Sequence, residues 1–313
     1  MTAHIQIVGF NHREHLASCL RSCLAQTVTV PVLYIDNASA DGSAECVARE
    51  FPAVRLIRNA TNRGYSGGHN QGIRAHPESD VVIVLNPDVV LEPDFVEKGV
   101  AGFSRPEVGA VAPLLLRPPA GSGRVRGSDI LDAYGTVLLK SLRAVNQFEG
   151  VPTSRLPALD TRQVWGFTGA AAFLRRAALD AVALAGEIFD QDLFAYREDV
   201  DLSWRLRLCG WDIVGSPVAY ATHLRAAKRG QKKPARLAQL SWRNYYLVLV
   251  KNAPLKTLLR SLPFVLAEDV AREIQLFTHP RLWPALPELL RLLPKFLGKR
   301  SLVVHGTREV PPA

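Results

Sequence analysis

Four short apolar runs, Ile5 to Phe10, Val32 to Ile35, Val54 to Ile57 and Val81 to Leu85, alternate with helical stretches over Leu16 to Leu24, Asp41 to Phe51 and Gly67 to His76. The runs have strand length and strand composition, so the alternation predicts repeated βα units. Such units build a mostly parallel, doubly wound sheet through right-handed crossovers, and their loops collect at one edge to form a crevice of nucleotide size. At 313 residues the chain has room for one large α/β domain and an appendage, and 48% hydrophobic against 21% charged residues excludes a disordered chain.

The loops at that edge carry the chemistry. Val81 to Leu85 reads as a strand covered on both faces, and Leu85-Asn86-Pro87-Asp88 puts a carboxylate at its exit, where ligands of open α/β sheets bind. Asp36 stands at the end of the second strand, ahead of a turn in which Ser39 or Asp41 is suited to cap a helix. The strand-end position suits the Asp36 carboxylate to accept from a base N–H or a ribose hydroxyl. Asn62 to Gly72 packs glycines and amides before a helix, which allows close backbone approach to an anion, although the glycine spacing is not that of a dinucleotide fingerprint. Further on, Glu198, Asp199 and Asp201 crowd the first turn of a helix whose Leu202, Leu206 and Cys209 should face inward. Acids favour a helix N-terminus, and Asp201 with Arg205 makes an i,i+4 pair. Glu198 and Asp199 are left at the helix mouth, where a carboxylate can act as general base toward a hydroxyl.

The net charge of +9, from 38 basic and 29 acidic residues, points to an acidic partner. The basic residues Arg225, Lys228, Arg229, Lys232, Lys233 and Arg236 gather in one loop with no reading helix or aromatic platform, which argues against nucleic acid. Such a loop is either a solvated charge run or a cradle for phosphates. The tail from Leu237 to Leu302 mixes leucine with Lys and Arg and never reaches about 20 uninterrupted apolar residues, so it predicts helices lying at an anionic membrane surface, with packing on the domain or on a homodimer partner as the alternative. The opening residues lack a secretory pattern, and Cys19, Cys23, Cys46 and Cys209 lack metal or disulfide spacing, so reduced core thiols in a cytoplasmic protein are expected, at the inner face of the plasma membrane if the tail binds lipid. His15, Cys19 and Cys23 would span about 12 Å along a helix, too far for one zinc ion.

The ordered set VGFN, IDNASADGS, NRGYSGGHNQG, LNPD, GFTGAAAFLRR, FDQDLFAYREDVDLSWRLRLCGW and finally His223 resembles the family 2 glycosyltransferases, in their rhamnosyltransferase-like branch, over residues 4 to about 252. The resemblance implies a GT-A (Rossmann-like) α/β fold: a mixed, mostly parallel central sheet flanked by helices, with a catalytic domain over residues 1–230 and a helical C-terminal appendage over 231–313. It implies inverting transfer of a sugar from a nucleoside diphosphate sugar, dTDP-rhamnose favoured over a UDP-hexose, to a cell-surface glycan or lipid-linked acceptor, assisted by Mg²⁺ or Mn²⁺. By the same resemblance Asn11, Asp36, Asn62, Gly64, Asn70 and Asn86 belong to the nucleotide pocket, and Asp88 and His223 to the metal. Asn86 stands where the family's DXD element has its first acid. Asp199 resembles the catalytic base, with Glu198 beside it, and Trp165, Gly169 and Arg205 border donor and acceptor. Trp165 or Phe167 could stack on a sugar, and 166–176 reads as a strand. A catalytically silent sugar-nucleotide binder would keep the fold and lose the acids, and the joint presence of Asp36, Asp88, Glu198, Asp199 and His223 argues against it.

Overall fold

The computed structural model describes residues 1–118, 129–159, 164–225 and 234–304. The βα alternation is realised as β1 (Ala3–Gly9), α1 (Arg13–Leu24), β2 (Val32–Asp36), α2 (Ser43–Glu50), β3 (Arg55–Arg58), α3 (Gly64–Ala75) and β4 (Val81–Leu85). These strands are parallel in the order β3-β2-β1-β4. Every residue of β4 is fully buried; Val81, Ile83 and Leu85 join the core on one face, and Val82 and Val84 the core on the other. A continuous apolar run is what such two-sided burial requires.

The second half of the sheet departs from simple repetition. After β5 (Val89–Leu91), α4 (Phe95–Val100), β6 (Val108–Leu116), β7 (Leu131–Tyr134) and a small hairpin of β8 (Thr136–Leu138) and β9 (Ala144–Asn146), β10 (Ala171–Arg175) inserts antiparallel between β4 and β6. Then α5 (Arg176–Ala181), α6 (Glu198–Leu208) and β11 (Asp212–His223) follow, with β11 parallel to β6 and antiparallel to β5. The strand expected over 166–176 begins only at Ala171, because the residues before it turn away to meet α6.

The C-terminal helices α7 (Ala235–Asn252), α8 (Leu255–Thr278) and α9 (Ala285–Val304) are unequal in burial. Tyr245, Leu247, Val248 and Leu249 of α7 and Phe296 of α9 share a core with Val200, Trp204 and Leu208 of α6. Under that core Lys251 has no exposed surface and bridges Asp190 Oδ2 at 2.7 Å and Asp201 Oδ1 at 2.6 Å. Lys299 adds a second cation to Asp190 at 2.6 Å. The tail thus meets α6 through paired, desolvated charges as well as apolar contact.

Three cysteines are buried as expected, but Cys209 caps the end of α6 and is exposed rather than inward. At α2 the helix starts after Gly42 in a left-handed turn, and Asp41 does the capping from one residue earlier, accepting from Ser43 N–H at 3.0 Å and Ser43 Oγ at 2.6 Å.

Candidate active site

At the carboxyl edge of β1 and β2, three loops are laced together by side-chain amides. Asp36 ends β2 with 3% of its surface exposed, and its Oδ2 accepts from Ser39 N–H at 2.9 Å. Its Oδ1 is buried and lacks a partner among the described residues. A buried carboxylate oxygen with no donor is costly, so this atom is set up to meet one from a ligand. Asn11, at φ 58°, accepts from Ala40 N–H at 2.8 Å, and its own N–H donates to Ser39 Oγ at 3.0 Å. Asn62 accepts from Gly64 N–H at 2.9 Å, and Gly64, at φ 69°, stands so close to the Phe194 carbonyl that no Cβ would fit. Asn37 was not singled out in the sequence. It is buried, donates to Gly64 O at 2.9 Å and accepts from Asn59 at 2.9 Å, tying the β2 exit to the glycine loop. Asn70 departs from the expected pocket role: both ends of its amide are spent on the Phe189 backbone, at 2.7 and 2.9 Å, within the core.

The exit of β4 holds the second group. Asp88 is 6% exposed, and His223, the last residue of β11, brings Nε2 to 3.5 Å from Asp88 Oδ1. The opposite ring nitrogen of His223, Nδ1, lies 2.9 Å from Asp132 Oδ2. Burial alone would lower the His223 imidazole, but its bonds to Asp132 and Asp88 and their charges outweigh this and raise it to about 9. Asp132, unflagged by any motif, also accepts from Arg225 Nε at 2.7 Å and Arg117 Nε at 3.2 Å. Burial pushes its carboxyl up, yet His223 and Arg225 hold it below its ordinary value. Asp132 thereby fixes which His223 nitrogen faces Asp88. Of the basic loop expected to follow, Lys228, Arg229, Lys232 and Lys233 lie outside the described residues. Arg225 pairs with Asp132 and Glu149, and Arg236 with Glu288.

The third group is the mouth of α6. Asp199 is half-buried; its Oδ2 accepts from Gly169 N–H at 2.9 Å and its Oδ1 from Val200 N–H at 2.8 Å. Tyr65 Oη donates to the carbonyl of the same Gly169 at 2.9 Å. Burial raises the Asp199 carboxyl against the pull of these backbone donors. Glu198, 6% exposed, is pushed well up by burial and then by Asp199, and its Oε2 has no partner among the described residues. Of the two acids, Asp199 has backbone donors that favour its charged form, whereas the Glu198 Oε2 has none among the described residues.

The entry to α6 is strained, with Phe194, Tyr196 and Arg197 at φ 65°, 70° and 73°. Asn244 of α7, fully buried, holds it by donating Nδ2 to the carbonyls of Leu193, Ala195 and Tyr196 at 2.8, 3.0 and 2.7 Å. Strained backbone of this kind persists only where the surroundings over-determine it.

The groups are joined through the two residues just ahead of β10. Gly169 N–H reaches Asp199, and Ala170 O accepts at 2.9 Å from Asn86 N–H, two residues before Asp88. The second of these bonds is backbone to backbone and sets Asn86 in place by its main chain. Two expected sugar contacts fall elsewhere. Trp165 is 7% exposed and packs edge-on against Trp204, ring centroids 5.6 Å apart, and Phe167 is fully buried. Arg205 is enclosed in the core, paired with Asp201 at 3.0 Å and donating to the carbonyls of Val182 and Ile188. The i,i+4 pair expected from the sequence is present, and it accounts for Arg205 without a ligand.

If Asp88 and His223 hold a divalent ion, replacing Asp132 by asparagine should weaken Mn²⁺ binding in the presence of nucleotide by about 10- to 100-fold, because Nδ1 of His223 loses the carboxylate that orients the ring and raises its basicity. Calorimetric titration of Mn²⁺ into the nucleotide-saturated protein checks this, with unchanged affinity arguing that Asp132 only neutralises the two arginines.

Comparison with known proteins identifies the family. The profile of the glycosyl transferase family 2 matches residues 5–183. An N-acetylglucosaminyl-diphospho-decaprenol L-rhamnosyltransferase of Mycobacterium tuberculosis (strain H37Rv) is 31% identical over 274 residues, 81% of this chain and 87% of that protein. Among solved structures, GalNAc-T7 with UDP, GalNAc and Mn²⁺ superposes with a TM-score of 0.60 at 17% identity, over 80% of this chain and 48% of that one. S. aureus TarS 1–349 in complex with UDP gives 0.56 at 14% identity, over 98% and 89%. At these identities the two structures speak for the GT-A fold alone. The profile spans more than half of the chain and the curated relative most of it, so this chain belongs to glycosyl transferase family 2 and its activity is that of a glycosyltransferase.

Proposed function

We propose that the chain transfers a sugar, L-rhamnose from dTDP-rhamnose in the first instance, to a hydroxyl of a lipid-linked diphosphate glycan, with inversion at the anomeric carbon. The observation that carries the mechanism is the Gly169-Ala170 bridge, which ties the Asp199 base to the Asn86-Asp88 strand exit through two adjacent residues. The donor and acceptor are supported by the printed activity of the mycobacterial relative, an L-rhamnosyltransferase acting on N-acetylglucosaminyl-diphospho-decaprenol.

Asp36 Oδ1 accepts from the nucleoside, and the backbone around Asn62 and Gly64 walls the pocket. Asp88 and His223 Nε2 suit a divalent ion: one hard carboxylate oxygen and one imidazole nitrogen, with diphosphate and water oxygens to fill the remaining positions. If held by Asp88 and His223, Mg²⁺ or Mn²⁺ would supply positive charge to offset that growing on the leaving diphosphate. Asp199 takes the proton from the acceptor hydroxyl as that oxygen attacks the anomeric carbon from the face opposite the diphosphate. One displacement inverts the centre, and no covalent sugar intermediate on the protein is required.

The reading is tested by calorimetric binding of dTDP, UDP and GDP with and without Mn²⁺. Metal-dependent preference for dTDP is expected. A UDP preference moves the donor to a hexose, and no binding of any of the three by folded protein would sink the transferase site as drawn.

A further inference from the structure

Helix α8 is held by one side only. Ser261 and Val265 are buried, and Glu268 turns inward to pair with Arg143 at 2.8 Å. On the outward side Leu255, Leu259, Leu262, Leu266, Val270 and Ile274, spaced three or four residues apart, form one stripe, each between 41% and 63% exposed. At 24 residues the helix runs about 36 Å. On α9, Leu286, Leu290 and Leu297 are similarly bare. Lys256 and Arg260 are exposed beside the α8 stripe, and Arg281 and Arg291 are exposed on the next segments. Among the described side chains from Leu255 onward, the acids Glu268 and Glu288 are both turned to partners within the fold. Among the described side chains, the outward charge carried by Arg260, Arg281 and Arg291 is therefore cationic.

We propose that the exposed face of α8, extended by α9, docks on an anionic lipid bilayer surface. Among the described residues no helix is long and apolar enough to cross a membrane, whereas an apolar stripe bordered by Lys and Arg is what lies in an interface with its leucines among the acyl chains and its cations at the headgroups. A second copy of this chain would cover the leucines but oppose like charges across the contact, so charge complementarity favours lipid. The inner side of α8 abuts the turn before β9: Lys140 lies over the Phe264 ring at 5.5 Å, and Arg143 holds Glu268. From the same hairpin the Ala144 carbonyl accepts from Arg197, the residue before Glu198, at 3.2 Å. The bilayer thus borders the side of the site where the base stands and where a lipid-anchored acceptor would arrive. This last step rests on the glycolipid reading above; the docking itself does not.

Co-sedimentation of the full chain with phosphatidylglycerol-rich vesicles and with phosphatidylcholine vesicles, at low and high salt, tests the proposal. Binding to the anionic vesicles is expected, weaker to the neutral ones, falling with salt, and reduced at least about tenfold by Leu259→Glu with Leu266→Glu. Transfer to a water-soluble acceptor fragment should be unaltered in that double variant. Absence of vesicle binding, or binding that the substitutions leave unchanged, overturns the proposal. Conversion of a dimer to monomers by the substitutions without any vesicle effect overturns it in favour of a second copy. A chain that binds vesicles through these leucines yet transfers no sugar to any lipid-linked acceptor refutes the glycolipid reading and leaves the surface standing.

Discussion

Asp199→Asn should lower turnover by about 10²- to 10⁴-fold, roughly 3 to 5 kcal/mol of barrier, while dTDP affinity stays within about threefold of the parent. The geometry makes the prediction specific. Asparagine keeps the size of the side chain, but its NH₂ must face either Gly169 N–H or Val200 N–H, which now donate at 2.9 and 2.8 Å to carboxylate oxygens. The variant cannot accept the acceptor's proton, and one of its two anchoring bonds is lost. The neighbouring acid separates a base from a merely electrostatic role. Burial and Asp199 push the Glu198 carboxyl well up, which makes it the poorer proton acceptor of the two as drawn, and Glu198→Gln should cost far less than Asp199→Asn. Steady-state kinetics with single-turnover measurement of the chemical step decide it; equal losses in the two variants would mean that the pair, not Asp199, carries the base.

Lys251→Met should destabilise the fold by about 3–5 kcal/mol, because it strips the shared cation from two buried carboxylates. Lys251 and Asp201 have no exposed side-chain surface and Asp190 only 3%. Lys299 and Arg205 stay behind to pair with Asp190 and Asp201, and their presence sets the lower end of the range. Denaturant unfolding of parent and variant gives the difference directly. Acid supplies an independent check. Burial pushes the Asp190 carboxyl up, but Lys251 and Lys299 outweigh it and hold it well below its ordinary range. A carboxyl depressed in the folded state contributes stability that is fully present above its unfolded value of about 3.9 and drains away as pH falls through the folded one. The parent should therefore lose stability steeply below about pH 4, and Lys251→Met should lose less over the same interval. Parallel curves would show that the ion cluster is not what acid dissolves.

Much of the fold was legible because it rests on short-range patterns. Val81 to Leu85 was bounded to the residue, since only a strand buried on both faces needs five consecutive aliphatic residues. The acids at the mouth of α6 were visible for a similar local reason. Asp132 was not, because its meaning lies in His223, 91 residues away, and Asn37 and Asn244 likewise act on backbone distant in sequence. Trp165 and Arg205 erred in the opposite direction. Each is a residue type that binds sugars or phosphates well, but a neighbouring Trp204 and a buried Asp201 claimed them for packing and charge balance. The strand expected from Gly166 was shortened by tertiary demand, since Gly169 leaves the sheet to give its N–H to Asp199.

The grip of Asn244 on the strained entry to α6 has a bearing on the order in which this protein comes into being. The sheet, its nucleotide edge and the acids of α6 all leave the ribosome before α7, and the carbonyl of Tyr196 waits for a donor 48 residues further along. Until that donor arrives, Asn244 does not hold the left-handed turns at Phe194, Tyr196 and Arg197. A chain stopping at residue 233, which also leaves the buried Asp190 and Asp201 without Lys251, should then transfer no sugar, as a transfer assay on that fragment would reveal. On the proposed mechanism, the last part of the chain to be made is thus the part that steadies the helix carrying the base.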